Sequence, residues 1–172
     1  MNRRALLSSL GVCAAASLAG CSGYFDRTTG TVFRKNASVA VQTQRGPVWT
    51  SLAVIVGGVD DRDVLIHYDP EYVSVDTDAV EMTITDEQRD RLDRDFIGSS
   101  YIAGLIPDGK EQGPIRELHR PEFNEMRVGG KATVSQYTTE EGSTYFRLHG
   151  TDPRPNELSI SHLSRIPATN RS

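Results

Sequence analysis

The chain has 172 residues, with 19 basic and 23 acidic side chains and a formal net charge of −4. A net negative charge without a run of Lys or Arg argues against a nucleic-acid partner, because phosphates require a basic patch. Both cysteines, Cys13 and Cys21, lie near the N-terminus, so none remains for a disulfide or a thiolate site further along.

The first 21 residues have the pattern of an export signal. A basic pair, Arg3-Arg4, precedes an apolar segment of small residues at 5–19. A basic start, a short apolar core and a small-residue cleavage site mark a secretory signal. The apolar segment is shorter than the about 20 residues that a permanent membrane span requires. We therefore expect residues 1–20 to be a signal peptide that is removed.

The end of this segment carries the most specific motif in the chain. Leu18-Ala19-Gly20-Cys21 matches the prokaryotic lipobox at all four positions, and the N-terminus resembles that of a prokaryotic lipoprotein precursor. The resemblance implies that Cys21 carries a thioether-linked diacylglycerol and becomes the first mature residue. Two acyl chains anchor a protein stably to a membrane, whereas one does not. An ordinary Ala-rich signal with an incidental cysteine is the alternative.

The resemblance also implies a location and partners. The protein is expected to be exported and held by lipid at the outer face of the cytoplasmic membrane. Membrane lipid is then one partner, and a membrane or envelope protein is a possible second one. Residues 22–29 form a tether of at most about 28 Å, so the domain would lie close to the lipid surface.

The arginine pair suggests an export route. Arg3-Arg4 directly before an apolar core resembles a twin-arginine signal, which exports folded proteins. Two arginines also satisfy a general secretory signal, so both routes stay open. Twin-arginine lipoproteins of this layout are typical of halophilic archaea, and a usage of 16 Arg against 3 Lys is compatible with that source.

Beyond the tether, the hydrophobic period is mostly two residues, which predicts strands. The pattern indicates one β-rich domain at 30–166, followed by a flexible tail at 167–172. A loop is expected at 110–120. Strands are predicted at 31–44 (one bulged strand, or two strands around a polar break at 34–36), 51–56, 64–68, 72–75, 80–84, 101–106, 123–128, 131–138, 144–149 and 158–166.

One helix is predicted, at about 85–96. Thr85 is a suitable N-cap, and Gln88 three residues later completes a capping box. Asp86 and Glu87 fall in the first turn, where the helix dipole favours negative charge. Many short strands with one short helix predict a mainly β fold, either an antiparallel β-sandwich or a partly open β-barrel.

The residue types that carry catalysis or bind metals form no recognisable motif. His67, His119, His149 and His162 are not spaced as ligands, and zinc requires three or four converging groups. No Gly-x-Ser-x-Gly elbow positions a nucleophile. The acidic run Asp60-Asp61-Arg62-Asp63 lacks the glycine and distal glutamate of a calcium loop. We expect no catalytic residue, metal or cofactor.

One modification site is predicted in the domain. Asn36-Ala37-Ser38 is an acceptor sequon for an N-glycan. Because Asn36 falls in the polar break at 34–36, between two apolar segments of an exported protein, we interpret it as a possible glycosylation site.

The pattern favours a non-catalytic binding or accessory domain held close to the membrane. The alternative is an anchored hydrolase or metal-dependent enzyme whose His, Asp and Ser residues come together from distant strands. A histidine that meets an acid or a serine in a cleft would favour the enzyme. A purely structural envelope component would lack a pocket or an apolar surface patch. Trp49, Tyr101, Tyr137 and Tyr145 are expected to pack in the core or at its rim, with contacts at the surface as the alternative.

Replacement of the predicted lipidated residue tests the anchor. Cys21→Ser removes the only thiol at the cleavage site, so we expect the protein to be released into the medium or to stay uncleaved. The intact mass of the membrane-extracted native chain should equal that of residues 21–172 plus a diacylglyceryl group. Unchanged membrane retention of Cys21→Ser would refute lipid anchoring.

Overall fold

The computed structural model describes residues 27–57, 63–153 and 158–166. The predicted signal peptide, Arg3-Arg4, Cys21 and the tail at 167–172 lie outside these residues. The described residues form strands β1 (Thr28–Thr43), β2 (Gly46–Gly57), β3 (Asp63–Tyr68), β4 (Ser74–Asp76), β5 (Glu81–Thr83), β6 (Gly98–Pro107), β7 (Ile115–Leu118), β8 (Lys131–Thr138), β9 (Thr144–Asp152) and β10 (Ser159–Arg165), and helices α1 (Asp86–Asp95) and α2 (Arg120–Glu125).

Eight of these strands form one large sheet, in the order β10-β3-β2-β1-β6-β7-β9-β8. Residues 28–31 of β1 also pair with residues 131–134 of β8. Strands β1, β6, β7, β9 and β8 therefore close into a ring, and β2, β3 and β10 extend the sheet beyond β1. The ring is held at β7–β9 by a single residue pair, Glu117 with Tyr145. The fold is mainly β, as predicted, and is compatible with a sandwich or a partly open barrel.

Strand β1 connects the parts of the sheet, because it pairs with β2, β6 and β8. Its register shifts between Val32 and Arg34 against β6, and between Ala37 and Ser38 against β2. Such bulges bend a strand and increase its twist, which lets one strand serve two parts of a curved sheet. Of the two alternatives for 31–44, the single bulged strand is confirmed.

The core lies between the curved sheet and a small layer made of the β4–β5 hairpin, α1 and α2. Val80, Met82 and Ile84 are buried, as the alternating pattern predicted. The largest apolar side chains that are almost fully buried are Phe123, Phe146, Ile55, Ile66, Met82, Ile84, Leu92, Leu105 and Met126. No helix of the described residues is long and apolar enough to cross a bilayer.

Helix α1 begins as predicted. The Thr85 hydroxyl accepts a hydrogen bond from the Gln88 amide at 3.2 Å, and the Gln88 side chain accepts one from the Thr85 amide at 3.0 Å. This capping box satisfies two amides that have no partner within the helix. Leu92 is the buried residue of α1 and attaches the helix to the core.

Three predictions about the middle and the end of the domain are wrong. Residues 123–128 do not form a strand, because α2 (Arg120–Glu125) occupies this segment and makes a second helix. Pro121 lies in the first turn of α2, where a missing backbone N–H costs nothing. The loop expected at 110–120 contains β7. The sheet is also not purely antiparallel, since β7–β9 and β10–β3 are parallel.

Asn36 does not lie in a break between strands, because β1 is continuous there. Its side chain is 6% exposed. Nδ2 donates to the Ser38 hydroxyl at 2.8 Å, and Oδ1 accepts from the Ser51 hydroxyl at 2.5 Å. Glycosylation of Asn36 stays a prediction, and in the folded chain a sugar on Nδ2 would have to displace neighbouring atoms, because the residue is largely buried.

Lys35 is an ionisable residue inside the core, and it is only 1% exposed. Its Nζ donates to the carbonyl oxygens of Met82 and Met126, both at 2.7 Å, and lies 4.3 Å from the centroid of the Phe123 ring. Burial lowers the pKa of Lys35 to about 7; nearby Glu81 opposes this shift. The amine thereby links β1 to β5 and to the segment after α2.

The buried amine predicts a pH dependence of stability. Between about pH 7 and about pH 10 the unfolded chain binds a proton at Lys35 that the folded chain has lost, so the free energy of unfolding should rise with pH. One proton contributes up to about 1.4 kcal/mol per pH unit. We expect Lys35→Met to lack this contribution in urea unfolding measured across that range. Lys110→Met, at an exposed lysine, should keep the slope of the native chain, and equal slopes for all three proteins would contradict the assignment.

Candidate functional site

The four histidines do not converge. His67 lies on β3, His162 on the edge strand β10, His119 at the N-cap of α2 and His149 on β9. In the part of the chain that the structure describes, no group of three or more His, Cys, Asp or Glu residues could hold a metal ion. Of the acidic run considered for calcium, residues 60–62 lie outside the described part.

One histidine does meet a serine. The Ser135 hydroxyl and His149 Nε2 are 2.8 Å apart on neighbouring strands, at an exposed position. Desolvation lowers the pKa of His149, the positive charges of Arg27 and Arg147 act in the same direction, and Glu122 opposes them. Which of the two groups donates the hydrogen bond depends on the tautomer of the ring. Among the described residues, no carboxylate hydrogen-bonds to the other ring nitrogen, which a nucleophilic triad would require.

A cluster of three aromatic rings lies on the outward face of β8 and β9, beside α2. We call His119, Tyr137 and Tyr145 the ring cluster. The centroids of His119 and Tyr145 are 5.6 Å apart with an interplanar angle of 17°, and those of Tyr137 and Tyr145 are 5.7 Å apart at 24°. His119 Nε2 and the Tyr137 hydroxyl are within hydrogen-bond distance at 2.9 Å. Both pairs are stacked, so neighbouring rings cover part of each other's faces, and the cluster is only partly exposed.

Glu117 fixes the position of the ring cluster. Its carboxylate accepts a hydrogen bond from the Ser100 hydroxyl at 2.6 Å. A hydrogen bond from the Tyr145 hydroxyl to Glu117 raises the pKa of that tyrosine. Arg147 adds a cation–π contact, with its guanidinium carbon 5.0 Å from the centroid of Tyr137. These contacts restrict the rings before any ligand arrives.

A shallow cleft of about 420 Å³ lies next to Glu117. Ile102 and Ile115 supply its apolar surface, and its other lining residues are Arg116, Glu117, Ser143 and Thr144. Arg116 is held in place because its Nε donates to Oε1 of Gln136 at 2.9 Å. The cleft thus combines apolar side chains with hydroxyl, guanidinium and carboxylate groups.

A second exposed surface lies at the far end of the β1–β2 hairpin. We call residues 41–51 the arm. Trp49 is 57% exposed and Val48 is 53% exposed, and the neighbouring Ile97, which precedes β6, is 59% exposed. Val48 pairs with Val41, which is also exposed. The arm is therefore a projection of the domain that exposes three large apolar side chains, those of Val41, Val48 and Trp49.

Trp49 lies on the opposite face of the arm from Val48. It pairs with Ala40, and Ala40 pairs with Gly98 of β6. A side chain at position 98 would contact Cη2 of Trp49 at 3.8 Å. The indole therefore extends over Ala40 to Gly98, a site without a side chain, and its outer surface stays in solvent.

The sequence predicted the burial of the aromatic residues only in part. Tyr101 is buried, as expected, whereas Trp49 is exposed and Tyr137 and Tyr145 lie on the outer face. One signal for Tyr137 was present in the sequence, because it is out of phase with the inward-facing Ala132 and Val134 of the same strand. No pattern near His119 in the sequence indicated that it would contact the two tyrosines, because His119 precedes α2 and the tyrosines lie on β8 and β9.

Comparison with protein-family models, with curated proteins and with solved structures gives no match. The fold and the surfaces described above are therefore interpreted from their own chemistry.

The Ser135–His149 pair provides a test for hydrolase chemistry. Because the pair is exposed and lacks a carboxylate partner within the described residues, we expect a fluorophosphonate probe to label the native chain no more than Ser135→Ala. Intact mass after incubation with the probe measures the labelling. A probe adduct that disappears in Ser135→Ala would establish an activated serine and favour the enzyme.

Proposed function

We propose that the chain is a membrane-anchored, non-catalytic binding protein that docks a partner protein of the envelope through the arm. The observation that carries this proposal is the exposure of Val48, Trp49 and Ile97 at one end of the domain. Singly scattered apolar residues on a surface need no explanation, but here large exposed apolar side chains lie on both faces of the arm and beside it, at the same end of the domain. Tryptophan in particular is enriched among the residues that dominate interface energies.

The charge of the arm supports a protein partner. The arm, residues 41–51, contains one arginine, Arg45, and no acidic residue, in a chain whose net charge is negative. Charged residues are depleted at the centre of protein interfaces and aromatic residues are enriched. With one charged residue and an exposed tryptophan, the arm shares these two features of an interface centre.

The position of the arm supports a partner beyond the lipid surface. The chain enters the domain at Thr28, and the arm lies at the other end of β1. Sixteen residues of strand span up to about 50 Å. If Cys21 is anchored in lipid, β1 can hold the arm well away from the attachment point.

The anchored hydrolase remains the second candidate, and the Ser135–His149 contact is the observation that favours it. The exposed site and the missing carboxylate partner among the described residues weigh against it. A purely structural role is disfavoured by the apolar arm and by the cleft beside Glu117.

Photocrosslinking in the native host tests the docking proposal. We expect p-benzoylphenylalanine in place of Val48 to give one discrete adduct that is heavier than the chain by the mass of a single partner. Loss of an interface tryptophan commonly weakens binding tenfold or more, so adding Trp49→Ser should reduce the adduct by about tenfold.

The matched control places the same photoreactive residue at Glu87, an exposed position on α1. It should give no discrete adduct. Equal background at positions 48 and 87 would overturn the proposal. An adduct of twice the chain mass would assign the arm to self-association and overturn the envelope partner.

A further inference from the structure

We propose that the arm binds its partner by strand addition, in which an extended segment of the partner protein pairs with the free edge of β2. The added segment would continue the row of the sheet that β3 leaves empty. This inference rests on the proposed docking through the arm and adds how the partner is recognised. The register of β2, the side chains on its two faces and the position of Pro47 carry it.

The row beside β2 is empty along the arm. Strand β3 pairs with β2 as far as Tyr68, which lies opposite Ala53. The Asp69 amide then donates to the carbonyl oxygen of Leu52 at 2.9 Å, and a turn closed by hydrogen bonds to the Asp69 carbonyl follows. Residues 46–51 therefore have no described strand on the side of β2 that faces away from β1.

The backbone of Trp49 faces this empty row. In an antiparallel pair, residues whose N–H and C=O groups bond to the partner strand alternate with residues whose groups point to the other side. The carbonyl of Ala40 points toward β6, because it accepts a hydrogen bond from the Ile97 amide at 3.1 Å. Trp49 lies opposite Ala40, so its N–H and C=O groups point away from β1. A free edge of this kind is a template for pairing with another chain.

Apolar side chains flank the free edge on both faces of the arm. Val48 is 53% exposed and Trp49 is 57% exposed, and successive side chains of a strand point to opposite faces. A strand added here would place its own side chains alternately beside Val48 and beside Trp49. In strand addition, main-chain hydrogen bonds give affinity and such side-chain neighbours give specificity. The partner segment should therefore be extended and apolar on both faces.

Pro47 argues against a second copy of this chain as the added strand. It lies on the same edge as Trp49, two residues away, and has no N–H group to donate. If two copies paired symmetrically about Trp49, Pro47 of each copy would lie opposite Ser51 of the other, and a backbone hydrogen bond would be missing on each side. Proline on an edge strand is a device against such pairing. A different protein is not bound to this symmetric register.

The added strand should run antiparallel to β2. Strand β3 is antiparallel to β2, and a segment that continues its row in the same direction keeps this more stable pairing. The C-terminal end of the segment would then lie near Arg45, the one charged residue of the arm. An acidic residue at that end would complement this charge.

A series of photocrosslinkers in the native host tests strand addition. p-Benzoylphenylalanine is placed in turn at positions 48, 49, 50 and 51, and the crosslinked residue of the partner is mapped by mass spectrometry of the digested adduct. Because paired strands keep one register, we expect all sites to fall in one short segment. The sites should move back along the partner by about one residue for each step forward along β2.

The matched control places the same residue at positions 41 and 42 of β1. These positions lie about 10 Å from the added strand, with β2 between them, so they should give less adduct than positions 48–51. More adduct at the control positions would assign the other edge of the arm and overturn the proposal. Ordered sites within the sequence of this chain would assign the edge to a second copy and overturn it as well.

The series also separates this inference from the docking on which it rests. A discrete adduct at position 48, with sites along the series that stay constant or scatter, would leave docking through the arm intact and overturn strand addition alone. The absence of a discrete adduct at every position would overturn both.

Amide hydrogen exchange of the full chain tests the free edge without any partner. The amides of Val48 and Thr50 face β1, because these residues pair with Val41 and Val39 in the alternate positions. We expect the Trp49 amide between them to exchange at least about tenfold faster. Comparable protection of all three amides would mean that the Trp49 amide is already paired, and this result would overturn the proposal.

Discussion

The buried amine of Lys35 constrains the whole arrangement of the domain. An amine in the core requires hydrogen-bond acceptors, since leaving it unpaired would cost several kcal/mol. The acceptors come from the carbonyl groups of Met82 and Met126, and Phe123 adds a ring face. These three residues belong to β5, to α2 and to the segment after it, so a single side chain of β1 fixes where the small layer packs. Burial of the same amine lowers its pKa, from which we expect stability to depend on pH.

The two candidate surfaces depend on how the large sheet is built. The β1–β2 hairpin extends past Tyr68, where β3 ends, and past Gly98, where β6 begins. Within the described residues, the arm therefore has no further strand on either side. At the other side, the ring of strands closes through Glu117 and Tyr145. The pair that completes the sheet therefore also carries the ring cluster.

Local signals were sufficient for much of the fold. Alternation of apolar residues predicted most strands, and the capping box at Thr85 predicted the start of α1, because both signals depend on residues close in sequence. Residues 123–128 were wrongly predicted to be a strand. The spacing of only three apolar residues, Phe123, Met126 and Val128, is too little to separate the period of a short helix from that of a strand. The parallel pairings of β7 and β10 had no local signal, since strand direction depends on the path of the connecting segments.

The sequence by itself determined the β-rich class, the capped helix, and the N-terminal motif on which the predicted anchor at Cys21 depends. These features are encoded in neighbouring residues or in a period of two. Tertiary structure alone decided that Lys35 would be buried, that Trp49 would be exposed, and that His119 would meet Tyr137 and Tyr145. Each of these depends on which distant strands become neighbours and on where a strand loses its neighbour. Contacts between residues far apart in sequence leave no periodic trace, so only the folded chain reveals the surface that we assign to binding.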